Sequence, residues 1–162
     1  MREVNIYLVS GINSMRKGNG YVAYCLEYYP AGKRQPETLI DTEPVFDMTG
    51  RCAELEVLVK ALKRLKEKCI LSIYTESEYL NMGIGERRLV DKWQENDWKA
   101  GKNVEVKNKE KWQEMLILLN GNEYQLFLKQ SNAYAEMLHE KVRMKGEIRN
   151  TEVKTDDKTD CT

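Results

Sequence analysis

The sequence predicts a single α/β domain in which a mixed β-sheet is flanked by helices. The first 45 residues contain three β-rich runs separated by short turns, a pattern typical of an antiparallel meander. From residue 55 the apolar residues change to helical spacing, and short strand-like and helical segments then alternate. A length of 162 residues suits one compact domain with its own core.

The three predicted N-terminal strands are residues 4–9, 20–29 and 38–45. The first ends at Ser10-Gly11 and a turn-rich loop, and the second ends at the turn 30–32. Because the connections are short, we expect neighbouring runs to pair as antiparallel strands.

A long amphipathic helix follows the third strand, and Thr49 or Gly50 can cap its N-terminus. Its apolar residues recur at helical spacing and should pack on the sheet: Leu55, Leu58, Val59, Leu62 and Leu65. The next run, Cys69–Thr75, is short and apolar, which predicts a buried parallel strand. Ser77 begins a short helix that ends near Gly83 or Gly85.

Two further helices and one strand complete the predicted domain, residues 1–145. One helix presents Trp112, Met115, Leu116 and Leu119 on one face, and residues 124–128 form the last strand. Asn132 caps the last helix, whose apolar residues are Tyr134, Met137, Leu138 and Val142. Residues 146–162 are polar and charged, which predicts a disordered tail.

Composition excludes several classes of function. The chain has 26 basic and 26 acidic residues, so any footprint for nucleic acid must be local. Four cysteines without a C-x-x-C pair, together with one histidine, argue against a zinc site and favour free thiols in the cytoplasm. The apolar N-terminal run is too short for a signal sequence or a membrane span, so we expect no membrane association.

Several motifs give the chain a resemblance to a known family. Residues 75–84 read T-E-S-x-Y-L-x-x-G-I, where that family has T-D-S-x-Y-[VL]-x-x-G-I. Trp93 and Trp98-Lys99 match W-(x)₄-W-K, and residues 106–113 match V-K-N-x-x-L-W-Q except for the lysine before the tryptophan. Two further segments are similar to N-R-x-E-L and N-x-x-x-D-x-L: residues 51–55 and 132–138. Over residues 3–145 the chain resembles the ribonuclease H family.

This resemblance implies the ribonuclease H-like fold, a five-stranded mixed sheet in the order 3-2-1-4-5 flanked by helices. It also implies a function on RNA/DNA hybrids, whose RNA strand such enzymes hydrolyse with two divalent metal ions. Magnesium prefers hard oxygen ligands, and the family supplies them as Asp, Glu, Asp and Asp in chain order.

The chain departs from this carboxylate set. Glu54 matches the second position, whereas Glu76 and Glu136 stand where the family has aspartate. Alignment without a gap places Val9 at the first position, which bridges the two metals in the family. We therefore expect Glu54, Glu76 and Glu136 to converge as a degenerate catalytic and metal-binding set that holds Mg²⁺ or Mn²⁺ weakly, with hydrolysis impaired. The mobile-loop histidine of the family is also absent, and His139 is interpreted as an ordinary helix residue.

The segment 87–112 is the predicted contact with nucleic acid, because it holds eight basic residues and all three tryptophans. The expected contacts are Trp98, Lys99, Lys102, Lys107, Lys109 and Lys111. The simpler interpretation of these lysines is a solvated face, and Trp112 is expected to lie in the core.

Three functions remain open at this stage, and whether the chain is an enzyme is one of the open points. The first is a module that binds RNA/DNA hybrid or other A-form nucleic acid with little cleavage. The second is an active ribonuclease H in which another acid, such as Asp47, replaces the missing aspartate. The third is a protein that keeps only the fold and binds a protein partner. The oligomeric state is not predicted.

Overall fold

A five-stranded mixed sheet forms the centre of the molecule. The computed structural model describes residues 1–160, with the side chains of residues 1–149. The strands are β1 (Arg2–Ser10), β2 (Gly18–Tyr28), β3 (Glu37–Met48), β4 (Cys69–Thr75), β5 (Lys99–Ala100), β6 (Val104–Glu105) and β7 (Glu123–Leu128). The main sheet has the order β3-β2-β1-β4-β7, while β5 and β6 form a separate hairpin. Since β7 is the fifth strand of the main sheet, the predicted order 3-2-1-4-5 is confirmed.

Strand β1 is central and joins the two halves of the sheet. It pairs antiparallel with β2, where Val9 lies opposite Ala23, and parallel with β4, where Tyr7 lies opposite Tyr74. Strand β7 continues the parallel half beside β4. Strand β3 is at the edge and carries Pro44, whose missing N–H is tolerated there.

Within residues 1–160 there are five helices: α1 (Gly50–Leu62), α2 (Glu78–Ile84), α3 (Leu89–Glu95), α4 (Lys109–Leu119) and α5 (Ala135–Asp160). The Thr49 hydroxyl caps α1 by accepting from the Cys52 N–H at 3.2 Å, and the Ser77 hydroxyl caps α2 by accepting from the Leu80 N–H at 2.9 Å. Asn132 accepts from the N–H groups of Tyr134 and Ala135, both at 2.9 Å, at the start of α5.

The hydrophobic core lies on both faces of the sheet. The larger cluster contains the expected face of α1, with Leu55, Leu58, Val59 and Leu62 buried. Leu65 follows the end of α1 and packs against this cluster while partly exposed. A smaller cluster lies between the sheet and α5, and its buried members are Tyr7, Val9, Ala23, Cys25 and Leu138.

Two elements of the structure lie outside the predicted set. Helix α3 and the β5–β6 hairpin were not expected, because their charged residues carry no clear helical or strand period. The backbone of α5 continues from residue 146 to Asp160, where the sequence predicts a tail. That tail and the domain boundary at residue 145 stay predictions, and residues 161–162 lie outside the described part. Among the described helices, none is both long and apolar enough to cross a membrane.

Candidate functional site

A cleft of about 130 Å³ lies at the edge of the sheet where β1 and β4 end. Because these strands are parallel, their carboxyl ends meet at the same edge, which is where sheets of this kind place their sites. We call this the strand-end cleft, and its lining includes Val9, Ser10, Asn13, Glu54, Glu76 and Ser77. Two of the three predicted carboxylates therefore border one cleft together with Val9.

The backbone at Glu76 is held by hydrogen bonds from both sides. The Thr75 carbonyl accepts from the Lys129 N–H at 2.8 Å, which ties the end of β7 to the end of β4. The Thr75 hydroxyl accepts from the Ser77 N–H at 3.0 Å. The position from which the Glu76 side chain leaves the sheet is therefore well defined.

Both cleft carboxylates have a partner within the protein. The Ser77 hydroxyl donates to Glu54 at 2.5 Å, so Ser77 connects α1 to the start of α2. Glu76 lies 2.7 Å from Nε2 of His139 on α5, and both side chains are about half exposed. Sequence reasoning missed this role of His139, because the two residues are 63 positions apart and no local pattern connects them.

Val9 gives the strand-end cleft an apolar wall. Its side chain is only 3% exposed and belongs to the cluster with Ala23 and Leu138. Valine has no atom that can coordinate a cation. Asp47, the acid considered as a replacement, is exposed on β3 and does not line the cleft.

Glu136 does not join the other two carboxylates in the lining of the cleft. It lies exposed in the first turn of α5. Among the described side chains, no group of three or more His, Cys, Asp or Glu is placed to hold a metal ion. The structure thus brings Glu54 and Glu76 together at the cleft without Glu136, and the residues present do not fit a two-metal centre. The catalytic role of the three carboxylates stays a prediction.

A buried carboxylate fixes the start of α5 on the sheet. Glu27 accepts from Asn5 at 2.8 Å and from the Tyr7 hydroxyl at 3.2 Å, and it also accepts from the Tyr134 hydroxyl. Burial, followed by the charge of Glu27, raises the pKa of Tyr7. For Tyr134 the hydrogen bond to Glu27 is the main cause of a raised pKa. Both phenols thus stay protonated and donate to Glu27, which holds Tyr134 just before α5.

The predicted nucleic-acid contacts separate into exposed and buried residues. Lys99, Lys102 and Lys107 are exposed on or beside the β5–β6 hairpin, and we call them the hairpin lysines. Lys109 is half-buried and pairs with Glu105 at 3.3 Å.

Two of the expected contacts are placed differently. Lys111 forms ion pairs with the buried Glu56 and, at 3.1 Å, with Glu114. Trp98 is 8% exposed, and its ring centroid lies 6.1 Å from that of Trp93. A ring packed in this way has no free face on which a base could stack, so its place is in the core.

Comparisons with known proteins bear on the family and the fold of the chain. The RNase H family model matches residues 2–128. Ribonuclease H of Francisella tularensis subsp. novicida (strain U112) is 45% identical over 74 residues, which are 46% of this chain and 47% of that protein. The match thus spans about half the length of such relatives.

Two solved structures share the fold at low identity. LC9-RNase H1, a type 1 RNase H with the type 2 active-site motif, superimposes with a TM-score of 0.71 at 17% identity, covering 91% of this chain and 73% of that one. The foamy viral protease-reverse transcriptase in complex with RNA/DNA hybrid gives a TM-score of 0.62 at 16% identity, covering 90% and 20%.

Proposed function

Because the chain belongs to the ribonuclease H family, we propose that it binds RNA/DNA hybrids and hydrolyses them poorly or not at all. Val9 is the observation that carries this proposal. It is buried against Ala23 and Leu138 at the wall of the strand-end cleft. The ungapped match to the family assigns the first aspartate to this position. Without that carboxylate, and with Glu136 outside the cleft lining, two carboxylates, Glu54 and Glu76, line the cleft, where the family uses four carboxylates for two metal ions.

Binding would use the hairpin lysines. Their side chains are exposed on or beside the β5–β6 hairpin, and lysine ammonium groups bind phosphates as point charges. Such contacts suit a hybrid, since an A-form duplex is recognised largely through its backbone and 2′-hydroxyl groups. The foamy viral structure with bound hybrid supports this class of ligand for the fold.

The first test measures binding and cleavage separately. Fluorescence anisotropy in EDTA, with a labelled RNA/DNA hybrid over a range of salt concentrations, should show binding that weakens as salt rises. A variant with all three hairpin lysines changed to Gln should bind more weakly. The slope of the logarithm of the binding constant against the logarithm of the salt concentration should fall in magnitude by about 0.7–0.9 per lost phosphate contact. Incubation of the parent with the same hybrid and Mg²⁺ or Mn²⁺ should leave the RNA strand intact.

A matched control removes the same charge elsewhere. Lys33, Lys66 and Lys68 are all exposed. Lys66 and Lys68 precede β4, so they lie at the end of that strand opposite to Glu76, which follows it. Changing these three to Gln should leave the salt slope close to that of the parent. Efficient cleavage by the parent that is lost in Glu76→Gln would establish an active nuclease instead. No hybrid binding at low salt would favour a protein partner.

A further inference from the structure

We infer that His139 occupies Glu76 as an internal hydrogen-bond partner and thereby keeps this carboxylate from binding a divalent cation. The inference deepens the proposed function, because it assigns a second residue, besides Val9, to the loss of the metal site. It gives the single histidine of the chain a specific task at the strand-end cleft.

The contact is held by two elements that are anchored independently. On one side, the hydrogen bonds of Thr75 to Lys129 and Ser77 fix the backbone at Glu76. On the other side, α5 is fixed by the Asn132 cap and by the packing of Leu138 beneath it. His139 follows Leu138 directly, so the buried leucine sets the direction of the histidine. The 2.7 Å distance between Glu76 and Nε2 thus results from tertiary packing.

The same contact takes away an oxygen that a cation would need. A carboxylate oxygen that accepts from Nε2–H must release this partner, or share it, before it can coordinate an ion. The neutral imidazole already provides that N–H, so the contact does not require a charged histidine. Magnesium loses its water shell reluctantly, so a site with one carboxylate paired with Ser77, another with His139 and an apolar third wall competes poorly for it.

Paramagnetic broadening by Mn²⁺ can test this without any enzymatic assay. The manganese ion broadens amide signals near its binding site, so ¹⁵N-labelled protein is titrated with MnCl₂ and the signals of residues 75–77 are followed. In His139→Ala these signals should broaden at about fivefold lower Mn²⁺ than in the parent, the change expected on removing one exposed competing contact. The residue lies exposed on a helix, so the variant should fold.

Two further variants separate this contact from general effects. His139→Gln keeps a side-chain N–H donor and should stay closer to the parent than His139→Ala. Lys129→Ala removes a cation that pairs with Glu78 at 2.8 Å in a neighbouring pocket that Glu76 also lines, and it should lower the Mn²⁺ concentration for broadening less than His139→Ala does. If His139→Ala and the parent broaden at the same Mn²⁺ concentration, or if Lys129→Ala shows the same gain, the inference fails.

Hybrid binding in EDTA, measured on the same samples, keeps the two proposals distinguishable. If His139→Ala broadens at the same Mn²⁺ concentration as the parent while the parent binds hybrid, only the role of His139 is rejected. If the parent does not bind the hybrid, the proposed function is rejected, and the manganese result is then judged independently.

Discussion

At position 9 a single side chain decides whether one wall of the strand-end cleft is polar or apolar. A carboxylate there would lie among Ala23, Leu138 and the other members of the cluster beneath α5, whereas valine extends that cluster to the cleft wall. Valine at this position therefore contributes to the attachment of α5. Replacing Val9 with aspartate should therefore lower the free energy of unfolding by a measurable amount.

Val9→Asp should unfold more easily than the parent in the absence of metal ions. An unpaired carboxylate at a site that is 3% exposed costs about 3 kcal/mol of the free energy of unfolding. Urea unfolding in EDTA, followed by circular dichroism, measures this loss. Asparagine has nearly the same shape as aspartate but no charge, so Val9→Asn should lose less of the free energy of unfolding than Val9→Asp. Equal losses in both variants would show that shape, not charge, sets the cost.

The same substitution shows how much of the catalytic site can be recovered. Val9→Asp combined with Glu76→Asp and Glu136→Asp restores the carboxylate types of the family at all four positions. We expect this triple variant to cleave a labelled hybrid in Mg²⁺ above the level of the parent, with recovery limited by the position of Glu136 outside the cleft lining. No cleavage in either protein would leave binding as the remaining function.

At the scale of elements, the two most specific motif segments contact each other. Tyr79 and Gly83 of α2 lie against Trp112 of α4, whose indole N–H donates to the Tyr79 hydroxyl at 3.2 Å. The Asn108 side chain donates to the same hydroxyl at 3.2 Å. The presence of both motif segments in one sequence therefore has a physical reason, since each segment supplies half of one packing contact.

Gly83→Ala should weaken this contact. The added Cβ would come within 2.2 Å of the Trp112 ring, which has no exposed side toward which to move. Overpacking of this kind costs about 1–3 kcal/mol, and thermal unfolding measures the loss as a lower midpoint. Gly146→Ala is the matched control in α5, where the added Cβ meets nothing within 4 Å. A midpoint for Gly83→Ala at or above that of the parent would contradict the close packing.

The predictions from sequence succeed where the signal is local. Residues 69–75 form β4 with the predicted bounds, because a short apolar run between polar segments allows few alternatives. Lys111 and Trp98 could not be placed in this way, since their environment depends on Glu56 and Trp93, which other helices contribute. His139 and Glu76 meet only because the whole sheet and α5 are assembled, so the motif residues identify the cleft but not its internal partners.

For the molecule as a whole, an ion-pair group connects the first and fourth helices on one side of the sheet. Glu114 of α4 accepts from Lys63 at the end of α1 at 2.9 Å and lies 3.1 Å from Lys111. The hydrogen bond from Lys63 is the largest cause of a lowered pKa for Glu114. A lowered pKa in the folded state means that the ionised carboxylate stabilises the fold.

Glu114→Gln should therefore be less stable than the parent at pH 7, and the difference should disappear in acid. The side chain is 36% exposed, so solvent screening limits the loss to about 1 kcal/mol or less. The contribution is complete above the unfolded-state pKa of about 4.3 and is lost as pH falls through the lower folded-state pKa. Urea unfolding at pH 7 and at successively lower pH follows the loss of this contribution. Glu95→Gln, at an exposed position with no ion pair among the described residues, should be neutral at each pH.

The short connection between β7 and α5 has a consequence for the kinetics of ligand exchange. It is tied to β4 through Lys129 and Thr75 at one end and to α5 through Asn132 at the other. A connection fixed at both ends has no free arm to fold over a bound duplex, so this connection would add no closing step after the encounter. Association would then show no slow phase from this segment, and its rate would follow charge attraction between the hairpin lysines and the duplex.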